Sequence, residues 1–223
     1  MVPDIAECFR LMEEYGMLPN IRRHSLVVAR VAWLLVEGFR ENGGPPLVLD
    51  QELVVPGALL HDIAKTPCLH SGCDHAREGG EICRSLGYPA IAGIVEEHVL
   101  LKDHDDERRQ QGVFMAREII YYADKRVRHE EIVSLADRLV YILERYGVGN
   151  PEMERRIREN FARCVQLEYA LFRFLPFTPE QLSSLAVRHV AGYPAGLLPA
   201  EEAGAFVGGT KEDAEAANRE YGL

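Results

Sequence analysis

No apolar run in this chain approaches the roughly 20 residues that cross a bilayer. The opening residues Met1–Glu7 have neither the basic nor the long apolar stretch of an export signal. A membrane partner is therefore not expected, and the cytoplasm is the expected compartment. Basic residues are outnumbered: 25 Lys and Arg stand against 35 Asp and Glu, for a formal charge of −10. Such a field disfavours nucleic acid as the main partner. It still allows a small phosphate ligand, because a metal ion and a few local cations can reverse the field inside a cleft. The five cysteines, Cys8, Cys68, Cys73, Cys83 and Cys164, are odd in number, and the chain is not small. A disulfide framework is not expected, and Cys68 and Cys73 read as ordinary thiols near a cleft. A structural zinc site around them and His70 would lack a second paired cluster. Internal repeats, low-complexity tracts and alternating strand patterns are missing as well.

What the chain does have is helical periodicity and enough length for one sizeable core. Leu26, Val27, Val31, Leu34 and Leu35 repeat at helical spacing within Ile21–Phe39. The break at Asn42–Pro46 follows. Asp50 reads as the N-cap of a helix running through Leu53 and Leu60 to His61, with Pro67 stopping any continuation. Further helices are predicted over Asp74–Leu86, Ala90–His98, Val113–Arg126, Glu130–Tyr146 and Asn150–Phe174. Thr178–Gln181 has the order of a capping box and opens a short helix. The charged stretch Lys102–Arg109 reads as a solvated loop. The expected fold is all-α: a domain over residues 1–175 with its motifs in 21–146, and a C-terminal extension, 176–223, docked or partly flexible.

The sharpest chemical signal is His61-Asp62, at the end of the apolar run Val54–Leu60. An isolated buried charge is costly, so an aspartate there should be paired or bind a cation. Neighbours on a helix project about 100° apart, so both reach one ion only if the helix end points at it. Imidazole and carboxylate together suit divalent iron, manganese, nickel or zinc. His24 lies upstream, and His75, His98 and Asp124 lie downstream, each in a predicted helix. His70 and His104 read as solvated, and His129 and His189 as structural or exposed. Asp103, Asp105 and Asp106 lack the glycine and distal glutamate of a calcium loop.

The order His24, His61-Asp62, Asp124 resembles the HD-domain phosphohydrolase superfamily. His61-Asp62-Ile63-Ala64-Lys65 is similar to its His-Asp-x-(Gly/Ala)-Lys variant, and Tyr122-Ala123-Asp124-Lys125 to the segment with its last metal ligand. His75 and His98 match the two further histidines of subfamilies with a two-metal centre. The resemblance spans about Ile21 to Tyr146. It implies a helical bundle around one or two divalent metal ions and hydrolysis of a phosphate ester or anhydride, usually in a nucleotide, by a metal-bound hydroxide. On that reading His24, His61, Asp62 and Asp124 hold one ion, and His75 and His98 hold a second with Asp62 bridging. Asp62 and Lys65 are the catalytic candidates. Lys65 neutralises phosphate charge, with Lys125, Arg22 and Arg23 as further phosphate contacts.

Departures narrow the subfamily. Gly87-Tyr88-Pro89 precedes His98 and Gly192-Tyr193-Pro194 comes far later, so neither stands where cyclic-di-GMP phosphodiesterases carry their Gly-Tyr-Pro element. Lys65-Thr66 occupies the place of the Glu-Asp pair of alarmone hydrolases. Small stand-alone members, including the symmetrical diadenosine tetraphosphate hydrolases, are the nearest in motif, although Val99 replaces their usual Thr. The alternative reading is a nucleotide-binding sensor whose hydrolysis is weak or lost.

Overall fold

The computed structural model describes residues 1–41, 48–188, 193–194 and 197, leaving aside the side chain of His70. The chain forms the expected helical bundle. Asp4 opens α1 (Ile5–Glu14) by accepting from the Glu7 amide at 2.8 Å. α2 (Pro19–Glu41) is the long central helix. It buries Ile21, His24, Val28, Val31, Leu35 and Phe39, one apolar stripe interrupted by a single histidine. α3 (Val54–Leu60) is apolar almost all round and has α2 on one side. α4 (Lys65–Ser71), α5 (His75–Ser85), α6 (Pro89–Glu97) and the short α7 (Asp106–Gln110) follow. α8 (Ala116–Lys125) is nearly all buried and packs on α2, α3 and α6. α9 (Leu135–Ile142) runs into a wide π-type turn, Leu143–Gly147, before α10 (Pro151–Phe172) and α11 (Leu182–Arg188).

Strand structure among the described residues is limited to two pairs. β1 (Val48–Leu49) pairs in parallel with β2 (Phe114–Met115), Val48 opposite Phe114. β3 (Val127–Arg128) pairs antiparallel with β4 (Glu131–Ile132), Val127 opposite Ile132. Beyond residue 175, Leu182 and Leu197 are buried, α11 lies on α2, and Tyr193 packs against Trp33 with ring centres 5.2 Å apart. Residues 189–192, 195–196 and 198–223, with His189, lie outside the described residues.

One close approach sets the site. α5 and α6 form a helical hairpin closed at Gly87, whose φ of +83° suits glycine. Gly79 lets the two helices meet, because a Cβ there would stand 2.7 Å from Val95 Cγ1. That contact brings the start of α5 beside the end of α6.

The structure corrects several local expectations. Asp50 adopts a left-handed conformation, φ 55°, and makes no side-chain cap; a single tight turn over Gln51–Leu53 precedes α3. Pro67 does not stop a helix. It lies in the first turn of α4, where the missing N–H has no helical partner to lose. Residues 130–134 are not helical: they form β4 and the Ser134 N-cap, which accepts from the Asp137 amide at 3.0 Å. Cys68 and Cys73 are joined in a disulfide, their Cα atoms 4.8 Å apart across the end of α4. The charged stretch Lys102–Arg109 is not simply a loop. It winds into α7 and buries Arg109, whose Nε donates to Glu118 Oε1 at 2.6 Å. Glu118 has no exposed surface and also accepts from Arg108 and from the Met115 amide. Removing one partner of a buried ion pair leaves the other charge uncompensated. Glu118→Ala should therefore cost about 3–5 kcal/mol. Urea denaturation checks this, and a loss under about 1 kcal/mol would refute the account of α7.

Candidate metal centre

Five helices or their ends deliver the predicted ligands to one point. His24 comes from the buried stripe of α2 and Asp124 from the last turn of α8. His75 is the first residue of α5, set by the Asp74 N-cap, and His98 caps the end of α6. The adjacent pair is handled by ending α3 at Leu60. A tight turn follows, with Ile63 N donating to Leu60 O at 3.0 Å and Lys65 N to Asp62 O at 2.9 Å. His61 and Asp62 thus leave a helix end together, which removes the 100° problem of a continuing helix.

Asp62 stands in the middle and is 1% exposed. Its Oδ2 lies 3.4 Å from His61 Nε2, and its Oδ1 lies 3.4 Å from His75 Nε2 and 3.5 Å from His98 Nε2. Asp124 Oδ1 is 3.1 Å from His24 Nε2 and 3.7 Å from His61 Nε2. Two triads result, His24–His61–Asp62 and Asp62–His75–His98. In each, one ligand atom per residue lies within 4.8 Å of the others.

Backbone carbonyls set which imidazole nitrogen faces inward. His24 Nδ1 donates to His129 O at 2.9 Å, His61 Nδ1 to Ala58 O at 2.7 Å and His98 Nδ1 to Val95 O at 2.6 Å. A carbonyl only accepts, so each Nδ1 carries the hydrogen and each Nε2 offers a lone pair to the centre whenever the ring is neutral. His129 holds its carbonyl in place from a left-handed backbone, φ 55°, that side-chain-bearing residues rarely adopt.

The donor set fits divalent cations. His61 Nε2 and Asp62 Oδ1 are buried without a hydrogen-bond partner, and buried polar atoms normally have one. Burial alone would push the His61 imidazolium toward neutrality, but Asp62 and Asp124 outweigh it and raise its pKa to about 9. Burial works against the charge of Asp62 too, yet Lys65 and His61 hold its pKa well below the usual carboxylate range. Burial keeps His75 neutral, with a pKa lowered to about 4, and lowers His24 despite the carboxylate of Asp124.

The basic candidates separate. Lys65 lines the cleft over the centre, its Nζ 2.8 Å from Asp62 Oδ2. Lys125 is buried instead, donating to His98 O at 2.7 Å and Asp124 Oδ2 at 3.1 Å, so it ties two ligand segments together. Arg22 donates to Met17 O at 2.7 Å, and Arg23 pairs with Glu130 at 2.6 Å; neither lines the cleft. The cleft is lined instead by Arg138, Tyr141, Arg145 and Tyr146, together with His129 and Asn20. The sequence carries no assignment for Arg138, Tyr141, Arg145, Tyr146 and Asn20, and His129 is expected from it to be structural or exposed. The available signal was the spacing of Arg138, Tyr141 and Arg145, which puts three polar side chains on one helical face.

A helical bundle with paired His/Asp triads defines a class of proteins with a metal-competent core. The HD domain model matches residues 21–142, more than half of the chain, and the chain belongs to that family. Three curated relatives are more distant. The tRNA (cytidine(56)-2'-O)-methyltransferase of Picrophilus torridus is 27% identical over 60% of this chain and 39% of its own length. The enzyme of the same name from Thermoplasma volcanium is 32% identical over 44% of this chain and 27% of its own. Ribonuclease Y of a Sulfurovum species is 26% identical over 69% of this chain and 28% of its own. The chain therefore spans well under half the length of each of these relatives. No solved structure matches it significantly.

The raised pKa of His61 has a measurable consequence. Without metal its proton stabilises the fold fully below pH 6.5, and that contribution is lost as pH rises through about 9. Metal ligation needs the neutral ring, so ion uptake at pH 7.5 should expel about one proton, and affinity should fall about tenfold per pH unit on acidification. Calorimetry of manganese binding in buffers of different ionisation enthalpy counts that proton. A count of zero would contradict the assignment of His61.

Proposed function

We propose that the chain is a divalent-metal-dependent phosphohydrolase that cleaves a phosphate ester or anhydride of a small phosphorylated substrate, a nucleotide. The observation that carries the reading is the pair of His/Asp triads sharing Asp62, with Lys65 beside them at the cleft. Bound divalent ions would supply Lewis-acid polarisation of a phosphoryl oxygen and a water of lowered pKa. His24, His61, Asp62 and Asp124 would hold one, and Asp62, His75 and His98 the other.

The chain's own residues account for the remaining requirements. Lys65 faces both Asp62 and the cleft; Asp62 raises its pKa against the opposing effect of burial, so it stays cationic where phosphate charge arrives. Arg138 and Arg145 add positive charge to a protein whose overall charge is −10. The cleft over the centre, about 60 Å³, is small beside the adjoining concavity of about 510 Å³. Two of the relatives are named as tRNA methyltransferases and one as a ribonuclease. The acidic charge favours a small ligand over a polynucleotide for this chain. Among the described residues no helix is long and apolar enough to cross a membrane.

Manganese- or iron-loaded protein should hydrolyse nucleotides or a simple aryl phosphate, and a panel showing no turnover with either metal would sink the proposal. Lys65→Ala should keep its metal and lose roughly 10²-fold in kcat, the usual effect of deleting one charge-stabilising donor. Metal analysis alongside steady-state kinetics checks both halves, and loss of metal in that variant would make Lys65 structural.

A further inference from the structure

The metal cleft has an outer half of which the hydrolytic reading uses only the charge of Arg138 and Arg145. α9 and the π-type turn after it wall one side. Arg138, on α9, is 9% exposed, and its Nε is buried without a hydrogen-bond partner. Its guanidinium stands 5.3 Å over the Tyr141 ring. Arg145 sits 5.7 Å over the ring of Tyr146, which is 53% exposed. Neither arginine forms an ion pair with a described residue, although most arginines of this acidic chain do. The exposed ring of Tyr146, the half-buried ring of Tyr141 and guanidinium groups outside any ion pair offer stacking faces and anion donors together at one mouth. π-type turns are rare and often lie at functional sites.

Two concavities meet there. The inner one, over Asp62 and Lys65, is about 60 Å³. The outer one, about 510 Å³ and open to solvent, is lined by Tyr141, Glu144, Arg145 and Tyr146. Tyr141, Arg145 and Tyr146 line both, so the two adjoin. The inner space, beside Lys65 and the candidate metal ligands, suits an anionic group, and the larger outer one, edged by Tyr146, suits a ring system.

We propose that this outer concavity is a nucleoside subsite. The base stacks on Tyr146, Arg138 anchors a phosphate between the nucleoside and the metal centre, and Glu144 accepts from amino or hydroxyl groups of the ligand. The assignment rests on the phosphohydrolase reading for its orientation, with phosphate inward and nucleoside outward.

Calorimetric binding of two uncleavable-bridge probes to manganese-loaded protein tests it: adenosine 5′-methylenediphosphonate and bare methylenediphosphonate. Wild-type protein should prefer the nucleoside-bearing probe by roughly tenfold, the scale of one base stacked on an aromatic side chain. Tyr146→Ala should erase that preference and Tyr146→Phe should keep it. Arg138→Gln should weaken both probes and leave their ratio. Equal binding of the two probes by wild type, no binding of either, or a ratio unchanged in Tyr146→Ala would overturn the subsite, even in a protein that hydrolyses phosphate esters. Conversely, a Tyr146-dependent preference in a protein with no turnover leaves the subsite standing and removes the hydrolase reading. Tyr146 is exposed, so its variants report on binding even if Arg138→Gln fails to fold.

Discussion

A buried carboxylate in the middle of five imidazole and carboxylate ligands is the constraint around which this fold is arranged. Asp62 is almost wholly removed from water, where an uncompensated charge is too costly to keep. Its two oxygens face different partners, His61 and Lys65 on one side and His75 and His98 on the other. Metal-free, the site balances its charges with the His61 imidazolium and the Lys65 ammonium. Divalent ions would meet the same need with more charge at shorter range, which is why the neutral His75 and the buried, unpartnered atoms make sense together.

The surrounding structure follows from holding those groups still. α3 is apolar because it is enclosed by α2, α6 and α8, and it ends at Leu60 so that two consecutive side chains point the same way. The α5–α6 hairpin closes over Gly79, bringing His75 to His98. Carbonyls of Ala58, Val95 and His129 lock three rings in one tautomer. Lys125 fastens the end of α6 to Asp124 from behind. These contacts form a preorganised shell, in which ligand geometry is supported by residues that never touch the ion.

Much of this was legible in the sequence where residue identity alone carries the information. The stripe on α2, the start of α10 at Asn150 and the Thr178–Gln181 capping box appear near their expected positions, because periodicity and capping are local. The ligand order pointed to one centre through its resemblance to the HD-domain superfamily. What escaped depends on distant pairing or on the backbone. Lys102–Arg109 looked solvated because its partner, Glu118, lies beyond a turn. His129 acts through a carbonyl, which every residue has, so its identity gave no sign. Lys125 looked like a phosphate contact because a lysine beside a ligand shows its charge but not its direction. Cys68 and Cys73 looked like free thiols because an odd cysteine count says nothing about any one pair.

The central claim is that Asp62 belongs to two ion sites at once. Counting ions per chain by elemental mass spectrometry, after manganese reconstitution and removal of free metal, tests it directly. Wild-type protein should hold two ions and His75→Ala one, with His24 and His61 keeping the survivor. One ion in both proteins, or none in the wild type, would contradict the account.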